Sequence, residues 1–334
     1  MKRLLAMWVG ILLAAGVVAA DPVKIKLGTL VPKDSSPHQA LKEMAEKWRS
    51  APDGGVQLVM FTDGTQGGEA DMVRKMRIGQ LQAALITSVG LAEIDDSVTA
   101  LQTMPMVYKT FDELDYVREK IRPQLEQRLS DKGFIVLFWA DAGWVRLFSR
   151  EPVVFPDDLK KQKLFEWAGE NKGLEVIRAI GFQPVPLETA DIVPGLKTGL
   201  IDAVPLPPFF ALAGQIYESA PNMLDLNWSP LAGACVVTKK AWDRIPADEQ
   251  AVLLETAKKT GDSLCQQARK EMTESIEAMK KRGLTVREMT PAAETEWAKV
   301  AESTYPRIRG GLVPADMFDE VMKLLAQYRA TKKP

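Results

Sequence analysis

Histidine and cysteine are nearly missing from this chain: one His and two Cys in 334 residues. That supply argues against a metal centre built from His and Cys. It also leaves a Ser/His/Asp triad with His38 as its sole base. An excess of one charge is missing too. Lys and Arg number 43 against 44 Asp and Glu, a formal net charge of −1. There is no basic field for nucleic acid. Internal repeats and low-complexity segments are absent. Beyond the first twenty residues, no apolar run is long enough to cross a bilayer.

What is present is ordinary globular composition, 46% hydrophobic and 26% charged, over a length that suits about two domains. The first twenty residues stand apart. Lys2 and Arg3 precede an apolar run over 4–18, and Ala19-Ala20 lead into Asp21. Residues 1–20 read as a cleaved secretory signal, the alternative being a membrane anchor. No cysteine follows the expected cut, which argues against a lipid anchor. The mature chain is thus expected outside the cytoplasm. Cys235 and Cys265 then meet an oxidising compartment, where a disulfide and two buried thiols are both open readings.

Hydrophobic periodicity predicts alternating strands and helices. Strands are expected at 25–30, 56–61, 81–86 and 134–140, with helices after Ser36, over 69–78 and over 111–129. The β-α-β order predicts a parallel sheet with helices on its faces. Ser36 reads as the cap of the first helix, with Pro37 in its first turn; His38 is expected exposed there. The loop Thr62-Asp63-Gly64-Thr65-Gln66-Gly67-Gly68 precedes a helix. It lacks the Lys-Ser/Thr of a phosphate loop and reads as a connector near a cleft. A second β/α set follows, with strands near 145–148, 163–167, 184–187 and 200–204 and helices over 172–180 and 189–198. A strand at 231–238 is expected to return to the first unit.

The longest periodic element runs over 241–282, about 60 Å if unbroken. A helix of that length must cross both units or kink, with Gly261 as the expected kink. A strand at 284–287 and helices over 291–302 and 314–328 complete the chain. The expected division is a signal at 1–20, lobe I over 21–141 plus about 231–260, and lobe II over 142–230 plus about 261–334. The fold class is α/β: two lobes, each a β-sheet flanked by helices, with a long helix spanning both.

The informative stretch is 143–210. Arg146 lies there among large aromatics and a proline cluster. Asp157-Asp158 reads as a turn and cap rather than as an acid pair. No nucleophile–base pair is apparent, so the chain is expected to bind rather than to catalyse, and to need neither cofactor nor metal. Two lobes with a cleft suit ligand capture by hinge closure.

Several motifs carry a resemblance: Ile25-Lys-Leu-Gly-Thr-Leu, Asp63-Gly64-Thr65-Gln66-Gly67-Gly68, Ile78-Gly79-Gln80-Leu81-Gln82-Ala83-Ala84, Pro152-Val153-Val154-Phe155-Pro156-Asp157-Asp158-Leu159-Lys160, Leu196-Lys197-Thr198-Gly199-Leu200-Ile201-Asp202 and Lys239-Lys240-Ala241-Trp242-Asp243-Arg244-Ile245-Pro246. Along essentially its whole mature length the chain resembles the substrate-binding subunit of tripartite ATP-independent periplasmic (TRAP) transporters, dicarboxylate-binding type. The resemblance implies a periplasmic binding protein that traps a small organic ligand between its lobes. It then delivers the ligand to a membrane permease of two subunits.

The departures from the family pattern shape the ligand expectation. Phe165 stands where the family carries the arginine that pairs with a ligand carboxylate. Leu206 stands where it carries a supporting asparagine. Arg146 is kept. The sequence is therefore similar to an atypical subgroup lacking that arginine, which is associated with hydrophobic ligands and a tetratricopeptide-repeat partner lipoprotein. The expected ligand-binding residues are Trp144, Arg146, Phe165, Trp167, Leu206, Pro207, Phe209 and Phe210, around a rather apolar ligand with one carboxylate or polar head on Arg146. Two alternatives stay open: an ordinary monocarboxylate or keto-acid receptor anchored by Arg146, and a periplasmic sensor serving a signalling receptor.

Overall fold

Strand β1 (Val23–Thr29) buries Ile25 and Leu27 completely and is the centre from which the first sheet grows. The computed structural model describes residues 22–51, 55–168 and 171–332, so the expected signal segment at 1–20 lies outside the described residues. Helix α1 (Ser36–Arg49) carries the chain to β2 (Val56–Phe61), and α2 (Glu69–Arg77) carries it to β3 (Ala83–Thr87); both strands pair in parallel with β1. Short α3 (Ser88–Ala92) and long α4 (Phe111–Asp131) then lead to β4 (Phe134–Trp144).

The α1 cap is Ser35, one residue before the expected Ser36; its side chain accepts the His38 N–H. His38 is only 8% exposed, not solvated as expected. The turn before α1 folds back so that the Asp34 N–H donates to His38 Nδ1 at 2.9 Å.

The second sheet is built from β5 (Arg146–Ser149), α5 (Pro156–Leu159), β6 (Lys163–Trp167), α6 (Asn171–Ala179), β7 (Gln183–Leu187), α7 (Ile192–Thr198), β8 (Ala203–Leu206), α8 (Pro208–Ala213) and β9 (Asn222–Leu224). Asp158 caps the α5 turn as expected: its Oδ2 accepts the Phe155 N–H at 2.9 Å and the Val154 N–H at 3.1 Å. Asp202 fixes β8 to β6, its Oδ2 accepting the Lys163 N–H at 3.0 Å.

Strand β10 (Pro230–Thr238) then returns to the first sheet, antiparallel to β3 and β4. The first sheet has the order β2-β1-β3-β10-β4. Successive β10 residues feed opposite cores: Ala232, Ala234 and Val236 pack with α2 and α4, and Cys235 and Val237 pack with α1. Cys235 and Cys265 are both buried and unbridged.

Pro246 separates α9 (Lys239–Trp242) from α10 (Ala247–Lys280). Helix α10 holds 34 residues without interruption, about 50 Å at about 1.5 Å per residue. It packs on α1 and β4 of lobe I and on α8 of lobe II. The helix runs through Gly261 without a break. A Cβ there would meet Phe138 Cβ at 2.7 Å and the Trp139 carbonyl at 2.8 Å, so the glycine lets α10 lie against β4.

Strand β11 (Thr285–Arg287) completes the second sheet, of order β11-β9-β5-β8-β6-β7, and α11 (Pro291–Ile308) covers its outer face through Ala293 and Trp297. Helix α12 (Ala315–Thr331) was expected in lobe II but packs in lobe I. Met317, Phe318 and Val321 join the core beside α4, and Arg329 clasps Glu113 at 2.7 and 2.8 Å.

Four chain segments join the lobes. Val145 links β4 to β5, residues 225–229 return from β9 to β10, α10 bridges both, and α11 runs from Ala293 and Trp297 in the lobe II core to Ile308 in the lobe I core, ahead of α12. The first two run side by side: the Val145 N–H donates to the Ser229 carbonyl at 2.8 Å.

Candidate functional site

The carboxyl ends of β1 and β3 in lobe I face those of β6 and β8 in lobe II across a cavity of about 360 Å³. Ligands of open α/β sheets gather at such strand ends. Helix α10 closes one side with Leu264, Gln267, Ala268 and Glu271.

The lobe II wall is hydrocarbon. Trp167 ends β6, Leu206 ends β8, and Phe209 and Phe210 begin α8. The prolines position these last two rings. Pro207 caps α8 with φ −63° and Pro208 opens it, a place where the missing N–H costs nothing. The rings of Phe209 and Phe210 meet edge-on at 5.4 Å. The Trp167 indole N–H donates to Thr189 Oγ1 at 3.3 Å, which fixes its orientation.

Four of the eight residues singled out from the sequence thus line the cavity: Trp167, Leu206, Phe209 and Phe210. The other four do not. Pro207 is buried behind them as the helix cap. Phe165 is fully buried in the lobe II core, edge-on beneath Trp167 at 5.1 Å; it lies one strand repeat further from the cleft. Trp144 belongs to the lobe I core and packs on Phe111 at 5.0 Å, because β4 is still part of the first sheet at that position.

Arg146 is the fourth. Its Cα stands opposite Leu206 across the β5–β8 pair, yet its guanidinium turns to Asp225, with Nη1 3.0 Å from Oδ1. Burial pulls Arg146 below its ordinary value and the Asp225 charge offsets part of that. Its Nε is buried without a partner.

Three carboxylates that sequence reasoning passed over also line the cavity: Glu69, Asp141 and Glu271. Glu69 follows the glycine-rich loop. Its Oε1 accepts the Thr87 N–H at 2.8 Å, and its Oε2 accepts the Thr87 hydroxyl at 2.6 Å and the Gly90 N–H at 3.0 Å. Burial pushes Glu69 up, with these donors pulling partly against it. Glu271 on α10 accepts from Ser36 Oγ and from Gln267 Nε2, each at 2.7 Å.

Asp141 is 4% exposed. Its Oδ2 accepts from Arg269 at 2.8 Å and from Arg118 at 3.3 Å, while its Oδ1 is buried without a partner. Arg269 also forks onto Asp115 at 2.7 Å through both terminal nitrogens and lies over the Phe111 ring at 4.4 Å. This network ties α10 to α4 and β4. An acidic residue interrupting an otherwise apolar strand, as Asp141 does in β4, is the signal that could have found it. Among the described residues no Lys, Arg or His lines the cavity, and no cluster of His, Cys, Asp and Glu could hold a metal.

Comparison with known proteins places this geometry. Residues 27–309 match the family described as bacterial extracellular solute-binding protein, family 7. The chain is similar to the C4-dicarboxylate-binding periplasmic protein of Rhodobacter capsulatus, 25% identical over 311 residues, which cover 90% of this chain and 91% of that one. It is also similar to the 2,3-diketo-L-gulonate-binding periplasmic protein of Escherichia coli, 24% identical over 266 residues, covering 78% and 80%. In fold it is similar to a TRAP periplasmic solute-binding protein of Xanthobacter autotrophicus with bound β-D-galacturonate. The TM-score is 0.82 at 19% identity, over 90% of this chain and 99% of that one.

Proposed function

Since this chain belongs to bacterial extracellular solute-binding protein family 7, whose members are receptors rather than enzymes, we propose that it is the solute receptor of a TRAP transporter for an organic ligand more apolar than those its relatives are named for. The ligand is held between the lobes and handed to a membrane permease. Export by a cleaved signal at 1–20 and residence in the periplasm belong to the same reading.

The observation that carries it is the lobe II wall of Trp167, Leu206, Phe209 and Phe210. A cavity of about 360 Å³ falls within the ordinary range for small ligands. Each roughly 100 Å² of apolar ligand surface removed from water contributes about 2.5 kcal/mol. A small dicarboxylate gains little of that. It also faces a wall without a free cation, where an unpaired carboxylate costs several kcal/mol.

The test is mass spectrometry of the ligand released from protein purified under native conditions, with Phe209→Ala and Phe210→Ala as companions. The expected result is a compound with a substantial hydrocarbon part, bound about tenfold more weakly by either variant. A short dicarboxylate, bound as well by the variants as by the parent chain, overturns the reading.

A further inference from the structure

The cavity is chemically two-sided. Its lobe II wall is aromatic and aliphatic, whereas Glu69 of lobe I and Glu271 of α10 bring acid to the other side. We infer that the ligand enters with a hydrogen-bond-donating head, an ammonium foremost and not a carboxylate, turned toward those acids and its hydrocarbon turned toward Trp167 and Phe209. This rests on the apolar reading above and adds the chemistry of the head group to it.

Neither acid has a basic partner. Glu69 is held by Thr87 and Gly90, and Glu271 by Ser36 and Gln267. A ligand carboxylate beside them would meet like charge, and an ammonium would meet its opposite. Asp141 is different: its side chain is wholly buried, held by Arg269 and Arg118 with the Cys265 thiol beside it, and it offers a ligand no free charge.

Arg146 does not reverse this. Asp225 already supplies the carboxylate that Arg146 pairs with, so an acidic ligand would have to displace it. In effect Asp225 does internally what a ligand carboxylate would otherwise do.

The experiment varies the head on one hydrocarbon chain. Protein is freed of ligand in guanidinium and refolded, with its far-UV circular dichroism restored, then titrated calorimetrically at pH 7 with octylamine, octan-1-ol and octanoate. Octylamine is expected to bind at least tenfold more tightly than octanoate, with octan-1-ol between them. Glu271→Gln should shrink the octylamine preference by threefold or more. Asp225→Asn should strengthen octanoate by a similar factor, by freeing Arg146. Octanoate binding as tightly as octylamine or more so overturns the head-group inference and leaves the apolar reading standing. Failure of all three to bind overturns the apolar reading and the inference with it.

Discussion

Burial pushes the thiols of Cys235 and Cys265 up, Cys265 to about 12 with the Asp141 charge adding to it. A thiol so placed yields little thiolate at neutral pH and is out of reach of reagents. Native protein is therefore expected to show no rapid reaction with a disulfide reagent such as DTNB at pH 8, and guanidinium-unfolded protein to titrate two thiols without added reductant. One or more rapidly reacting thiols in the native state, or none after unfolding, would contradict this. Residue identity alone left the pairing open. It also pointed to Arg146 as a free anchor, since its partner Asp225 is remote in sequence and arrives by way of β9. The hydrocarbon half of the site was legible because proline and aromatic residues cluster visibly around 205–210. The acidic half was not, because Glu69, Asp141 and Glu271 lie far apart in sequence, and only the packing of α2, β4 and α10 brings them together.

Among the elements, α10 shows most clearly what packing adds to propensity. In an exposed helix, Gly→Ala is worth about 1 kcal/mol of stabilisation. At position 261 the added methyl would meet the β4 backbone and Phe138, and such overpacking costs about 1–3 kcal/mol. Gly261→Ala is thus expected to lower the urea unfolding midpoint, and a raised midpoint would show that α10 does not lie on β4 this closely. The α4–α12 contact makes a different prediction. Burial raises the Glu113 carboxyl, but the Arg329 fork, the Lys109 N–H and the Arg329 charge outweigh that and hold it below its ordinary value. A carboxyl depressed on folding contributes stability that is complete above its unfolded value of about 4.5 and is lost as pH falls through the lower folded value. Between pH 6 and 3 the parent chain should lose thermal stability more steeply than Glu113→Gln, and parallel curves would contradict the assignment. The strand at Lys163–Trp167 was readable residue for residue from the sequence, and the return of β10 to within one residue. The seat of α12 was not. Its periodicity shows that one face is buried, without saying against which sheet.

For the molecule as a whole, the cavity is lined by both lobes and by the helix that joins them, so a ligand bound there is expected to stabilise the two together. At a hundredfold excess over its dissociation constant, a ligand that binds only the folded state adds about 2.7 kcal/mol. Differential scanning calorimetry should show the whole transition moving up as one. Two transitions, only one of them shifted, would show that the ligand is held by a single lobe.

The place of β10 has a consequence for synthesis. Strand β4 touches the first sheet only through β10, which leaves the ribosome after residues 145–229. For a time on the order of ten seconds at typical elongation rates, the nascent chain carries an unpaired β3 edge and the apolar β4 with no strand to receive it. Such edges invite pairing with other chains. The lobe encoded first is therefore completed late, once residue 238 has emerged.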